Sequence, residues 1–328
     1  MTFSVSEKLP WYAALATVPI ATAASMLGLL MPKAVDSTNP DQLVNVIPQC
    51  LAYLLTLGAT AFFLAQQHLE KGRLAGYAKN GSFITLFAFA YALVALFGGY
   101  LFLDLARGLQ KALVYDWPSG DLSRAWERNQ AAMTVIRLAA PVVAVLLVFA
   151  AWKFSVFFFN GPRVRAVSVS ARRTRAAGMF ACVVTAASLL MEGISPTLTP
   201  TRFIWAHEVP LRPLYATVSI LLWTTLPVFL IARYVARRDL VATRPGRIVL
   251  FGLGTMLVIQ FLRFAVMFGG WVPLVTAVDE AGHLPAFAAF PEAHPLWTLA
   301  IVYALHIPLT VSVTWMMAWP AFGGRIRR

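Results

Sequence analysis

The chain has 328 residues, 59% of them hydrophobic and only 12% charged, with a mean hydropathy of +0.70. Soluble domains run at about 45–50% apolar and about 25% charged residues, so this composition excludes an ordinary soluble enzyme and points to an all-α polytopic membrane protein. A net charge of +13 would suggest nucleic acid in a soluble chain, but here the basic residues are spread over short connections and form no single patch, which argues against that partner.

The first apolar run, Trp11 to Met31, matches the roughly 20 residues that a transmembrane helix needs. Lys8 in front and Ala21-Thr22-Ala23 inside also fit a cleaved signal peptide. The continuation through Met26, Leu27, Leu29, Leu30 and Met31 favours a retained span. Seven more runs follow at 46–66, 82–103, 131–151, 177–194, 214–232, 248–271 and 296–319, which predicts eight spans.

The eight fall into two successive sets of four. Pro141 to Trp152 and Pro308 to Trp319 are both apolar runs that open on Pro and close on Ala-Trp. Span starts are separated by 35, 36 and 49 residues in the first set and by 37, 34 and 48 in the second. Thr22-Ala23-Ala24-Ser25 returns as Thr185-Ala186-Ala187-Ser188, and Phe97-Gly98-Gly99-Tyr100 at the end of the third span returns as Phe268-Gly269-Gly270-Trp271 at the end of the seventh. The expected organisation is a four-span repeat over 1–160, a basic cytoplasmic linker at 161–176 and a second repeat over 177–328. An even number of spans in each repeat gives both the same orientation, about an axis along the membrane normal.

Orientation follows from Lys and Arg in the short connections. One side carries eighteen basic residues, including Lys71, Arg73, Lys153, Arg163, Arg172, Arg237 and Arg325, against the three acids Glu7, Glu70 and Asp239. Both termini are therefore expected in the cytoplasm, in an inner membrane of bacterial type. Outside, Leu101, Leu105, Leu109 and Leu113 recur at helical spacing, as in a third helix that continues beyond the bilayer. Cys50 and Cys182 read as packing residues near opposite membrane faces in the second and fifth spans, too far apart for a bridge.

Ionisable residues inside spans are functional candidates because a charge in hydrocarbon is costly. Arg137, Glu192, Arg263 and His306 qualify, all between the outer interface and about the midplane, and Gln260 shares a helix face with Arg263. In the functional reading these five form an outward-facing pocket for an anionic or polar small molecule, with Arg263 paired to Glu192. In the structural reading they fix helix packing. A second candidate is the outer set His207, Glu208, Asp279, Glu280, His283, Glu292 and His294, donors suited to a divalent metal such as zinc. Their spacing matches no metal motif, and Gly282 and Pro285 argue against a helix there, so no cofactor is expected and metal is the weaker alternative. The apolar residues Leu284, Phe287 and Phe290 between them suit a lid or an interfacial hairpin.

No phosphate loop, nucleophile elbow or haem-ligand pair occurs. The functional expectation is a transporter-like or small-ligand-binding membrane protein. The rivals are a non-catalytic subunit or sensor that docks a partner membrane protein and, behind both, an outer-face metal-dependent enzyme.

Overall fold

The structure is a computed structural model that describes residues 8–26, 40–70, 80–114, 125–158, 169–194, 217–236, 244–266, 269–270, 272–283, 289–290 and 293–322. Among them every regular element is helical: α1 Leu9–Met26, α2 Pro40–Glu70, α3 Asn80–Val114, α4 Ala125–Phe158, α5 Val169–Ile194, α6 Thr217–Ala236, α7 Pro245–Val266, the short α8 Val272–Glu280 and α9 Pro295–Ala321. Seven contain stretches long and apolar enough to cross a membrane, namely α2 to α7 and α9. This is the helix set of a multi-pass membrane protein. The expected first span is not among the seven. Its helix has 18 residues, diluted by Pro10, Trp11, Tyr12 and Pro19, and Leu27 to Met31 lie outside the described residues.

Contacts divide the chain into two compact units, Met1–Asp36 with Tyr53–Val167 and Ser37–Ala52 with Ser168–Arg328. In the first unit α3 packs along α4 and against α1. From Tyr53 onward α2 meets α1 where Trp11 sets its ring edge-on to Phe62, 5.0 Å between centroids, and it meets α4 through His68 and Trp152. In the second unit α5 packs on α6 and α7, and α9 packs on α6 and α7.

Side-chain size decides which helix face turns inward. On α4, Ala132, Ile136, Ala140, Ala144, Val148, Ala151 and Trp152 are buried, at close to helical spacing, while Val135, Leu138, Val142, Leu146 and Phe149 are exposed. Lipid is as apolar as leucine, so helix association there rests on close packing, which small residues allow. Glycines mark the closest approaches. A Cβ at Gly98 would lie 2.5 Å from Leu147 Cδ2 between α3 and α4, and one at Gly252 would lie 2.8 Å from Val183 Cγ1 between α7 and α5. Trp152 is the large exception to the small-residue rule. It is fully buried, with Phe83 and Phe87 edge-on at 5.1 and 5.2 Å, and its indole N–H donates to His68 Nδ1 at 3.0 Å.

Several predicted ends move. The helix through Phe97-Gly98-Gly99-Tyr100 does not stop there but runs on to Val114, in line with the leucine spacing beyond it. Backbone groups in hydrocarbon are satisfied when a helix continues, and Gly98 sits inside it beside the end of Leu147. The fifth helix starts at Val169, so Arg172, Arg173 and Arg175 lie in its first turns and not in a linker. The α-helix of the seventh span is described as far as Val266, and residues 269–270 beyond it are π-helical. Both cysteines are free thiols.

Candidate functional site

The densest polar grouping among the described residues lies in the second unit, where α6, α7 and α9 converge on the His306 ring. Arg263 comes from α7, three residues before its end. A cation there also faces the carbonyl end of the helix, which favours positive charge. His306 comes from α9, six residues into the apolar stretch Ala300–Ala321. At about 1.5 Å per residue these positions are roughly 4.5 and 9 Å from the ends of their apolar stretches, and the contact between the two side chains puts them in one layer.

Arg263 Nη2 lies 3.0 Å from His306 Nε2 and also contacts Nδ1, while Arg263 Nη1 donates to Gln260 Oε1 at 3.4 Å. A guanidinium has only donors, so the ring nitrogen that it engages must be the bare acceptor. The remaining ring N–H has hydroxyl acceptors at hand. Thr224 Oγ1 on α6 is 3.2 Å from Nε2, and Thr310 Oγ1, one turn along α9, is 3.4 Å from both ring nitrogens. Tyr303, one turn earlier on α9, sets its ring against the imidazole at 6.3 Å and exchanges a hydrogen bond with Ser219 of α6. Tyr303, His306, Thr310 and Thr224 are all buried.

The local structure of α6 creates this convergence. Ile220–Thr225 is a π-helical stretch, and Pro227 follows it. Proline has no N–H to give and its ring crowds the carbonyl four residues back, so the preceding turn widens. Thr225 Oγ1 steadies the wide turn by donating to the carbonyl of Ile220, five residues back, at 3.2 Å, and it also bonds Thr185 of α5 at 2.6 Å. In an α-helix residues five apart point about 140° away from each other. A π turn closes between residues five apart and brings them over one another. That is why Ser219 and Thr224 both reach α9, at Tyr303 and His306.

Of the five expected pocket residues the structure therefore joins Gln260, Arg263 and His306. Glu192 is in α5 and Arg137 is in α4 of the other unit, but the side chains of both lie outside the described residues. The partners Ser219, Thr224, Thr225, Tyr303 and Thr310 escape a search for charges. One signal was available, because Tyr303, His306 and Thr310 are spaced three and four apart on one helix face. His68, buried against Trp152 in the first unit, was missed because it lies two residues beyond the predicted end of its span.

Of the outer histidines and acids, Asp279, Glu280, His283 and His294 are among the described residues. Asp279 and Glu280 end α8, contrary to the expectation of no helix there. Gly282 stops that helix at φ 72, with its N–H bonded to the carbonyl of Asp279 and that of His283 to Val278. This is a left-handed terminator that glycine adopts without strain. Asp279, Glu280, His283 and His294 are exposed, and His294 rests its ring on Phe290 at 5.0 Å. His207, Glu208, Glu292 and residues 284–288, the centre of the expected lid, lie outside the described residues. Among the described residues no three His, Cys, Asp or Glu side chains could hold a metal ion together.

No protein-family model, no curated protein and no solved structure matches the chain.

Proposed function

We propose that the second unit binds a small polar or anionic molecule in the outer half of the membrane, in a transporter-like protein of eight spans. The observation that carries this reading is the Arg263–His306–Thr224 contact, assembled from three membrane helices around an arginine. A structural tie needs only a satisfied pair. Here Tyr303, Ser219, Thr310 and Gln260 add further hydrogen-bonding groups in the same layer, beyond the Arg263–His306 pair. Such a donor-rich layer suits oxygen-bearing ligands such as carboxylates.

The proposed architecture is two four-helix repeats in one orientation, with both termini on the cytoplasmic face of an inner membrane. The neighbour pattern in each unit supports it. First with second, first with third, third with fourth and second with fourth are the contacts in both sets of four, counting α1 to α4 in one and α5, α6, α7 and α9 in the other.

The test is differential scanning calorimetry of the purified protein with a panel of small carboxylates, phosphate, sugars and divalent cations. At least one carboxylate or other polar solute is expected to raise Tm of the wild type and to leave Arg263→Gln unmoved. Equal shifts in both proteins, or no shift in either, refute a site at Arg263. A chain that then purifies only with a constant partner would fit the subunit reading.

A further inference from the structure

Further along α6 and α9, beyond Thr224 and His306 and toward the start of α7, three rings meet on the surface of the second unit. Tyr234 of α6 packs on Trp315 of α9 at 5.4 Å between centroids with the rings 31° apart, and Trp315 meets Trp319, one turn on, at 6.4 Å. Tyr234 is 43% exposed, Trp315 37% and the neighbouring Met316 70%, so these rings close no core. Arg233 immediately precedes Tyr234, which puts their Cα atoms about 3.8 Å apart. The Arg233 side chain is exposed and meets no acid among the described residues.

The charge at this end of the unit has one sign. Arg244 and Arg247, at the start of α7, are exposed as well. The acids described in this unit, Asp279 and Glu280, follow the other end of α7. An anion is the complement of such a surface, and depth decides what carries it. Tyr234 lies two residues inside the end of the apolar stretch Thr217–Ala236, at the level where tyrosine and tryptophan suit the boundary between headgroup and hydrocarbon. Trp315 lies six residues inside the end of Ala300–Ala321, about 9 Å deep at 1.5 Å per residue. A soluble anion reaches Arg233 but leaves the rings bare, and an acidic protein segment cannot carry its charges down to Trp315 without a heavy cost. An amphiphile with an anionic head and apolar chains meets both demands at once. A choline headgroup would bring an ammonium towards the arginines, so a head of net negative charge is the better match.

We propose that Arg233, Tyr234 and Trp315 form a binding site for an anionic phospholipid, whose phosphate meets Arg233 while an acyl chain lies over the Tyr234–Trp315 rings.

Wild type, Arg233→Gln, Trp315→Leu and, as a basic residue of the other unit, Lys111→Gln are purified in a neutral detergent. Each is unfolded in a calorimeter during titration with phosphatidylglycerol, with phosphatidylcholine of the same chains, and with glycerol phosphate as the soluble headgroup. Phosphatidylglycerol at about 100 times Kd is expected to raise Tm of the wild type by several degrees, well beyond the effect of phosphatidylcholine, and glycerol phosphate should leave Tm unmoved. Arg233→Gln should need about five times more phosphatidylglycerol for the same shift, the weight of one basic residue near an anionic headgroup. Trp315→Leu should also need more, and Lys111→Gln should follow the wild type. Arg233 is exposed, so its substitution leaves the fold intact and decides the matter even where Trp315→Leu unfolds. Equal shifts with the two lipids in wild type, or no shift with either, overturn the proposal. So do an unchanged titration in Arg233→Gln, a loss in Lys111→Gln as large as in Arg233→Gln, and a response to glycerol phosphate equal to that with the lipid. None of these outcomes depends on Arg263.

Discussion

Two tryptophans at matching places in the sequence repeat have different surroundings. Trp152 is fully enclosed by Phe83, Phe87 and His68, whereas Trp319 is half-buried and packs on Trp315 at 6.4 Å. Trp152→Ala is expected to cost about 3–5 kcal/mol, the range for large aromatic truncations in a core, and Trp319→Ala clearly less. Thermal unfolding of the two variants in the same detergent checks the order. At this scale the sequence is an uneven guide. It singled out Arg263, Gln260 and His306 because charge and amide groups stand out against hydrocarbon. It passed over Thr224, Tyr303 and His68, because hydroxyls are ordinary in membrane helices and a histidine near a span end reads as interfacial.

At the scale of elements, the glycines and the π turn make separate predictions. A methyl at Gly252 meets Val183 at 2.8 Å to Cγ1 and 3.1 Å to Cβ. A β-branched side chain on a helix has little freedom to move away, so Gly252→Ala should destabilise by about 1–3 kcal/mol, as overpacking does. At Gly98 the obstacle is the flexible end of Leu147, and alanine gains roughly 1 kcal/mol of helix propensity. Gly98→Ala is therefore expected to be close to neutral, and unfolding by heat of the paired variants reads the difference. For α6, deleting Leu222 removes the extra residue of the wide turn and restores α spacing. The shortened protein should still fold and insert, but Ser219 and Thr224 would diverge and one of their contacts to α9 would be lost. Ligand-dependent stabilisation should disappear with it, and a deletion variant that responds to ligands like wild type would refute the role given to the turn. The existence of the long helices was legible here from length and hydropathy alone, whereas the short α8 was not. Helix ends were not, because residues that read as stops in water, such as Gly98-Gly99, lie inside a continuous helix here. The inward face of α4 was also written in the sequence, in the alternation of small and large residues instead of polar and apolar ones.

For the whole molecule, the status of α1 decides the topology. Seven apolar stretches are long enough to cross, and an odd number would place the termini on opposite sides of the membrane. Eight places them together. With 18 residues α1 spans about 27 Å at 1.5 Å per residue, close to the roughly 30 Å of hydrocarbon. Its inward residues Ala13, Thr17, Ala21 and Ala24 are buried, at spacings of three and four, and the Thr17 hydroxyl is satisfied by the Ala13 carbonyl at 2.8 Å. Pro19 and the exposed Trp11 and Tyr12 lower its hydropathy without adding a charge. A helix of this kind is expected to cross because α3, which is long and apolar enough to cross, packs along it. The prediction is that both termini face the side of the basic connections. Cysteines introduced near each end, in a chain with Cys50 and Cys182 replaced by alanine, should both be shielded from a membrane-impermeant maleimide in intact cells. Both should react once the membrane is opened. Labelling of one end alone in intact cells would leave seven spans, remove the second helix set's first counterpart from the bilayer and end the case for two repeats in one orientation.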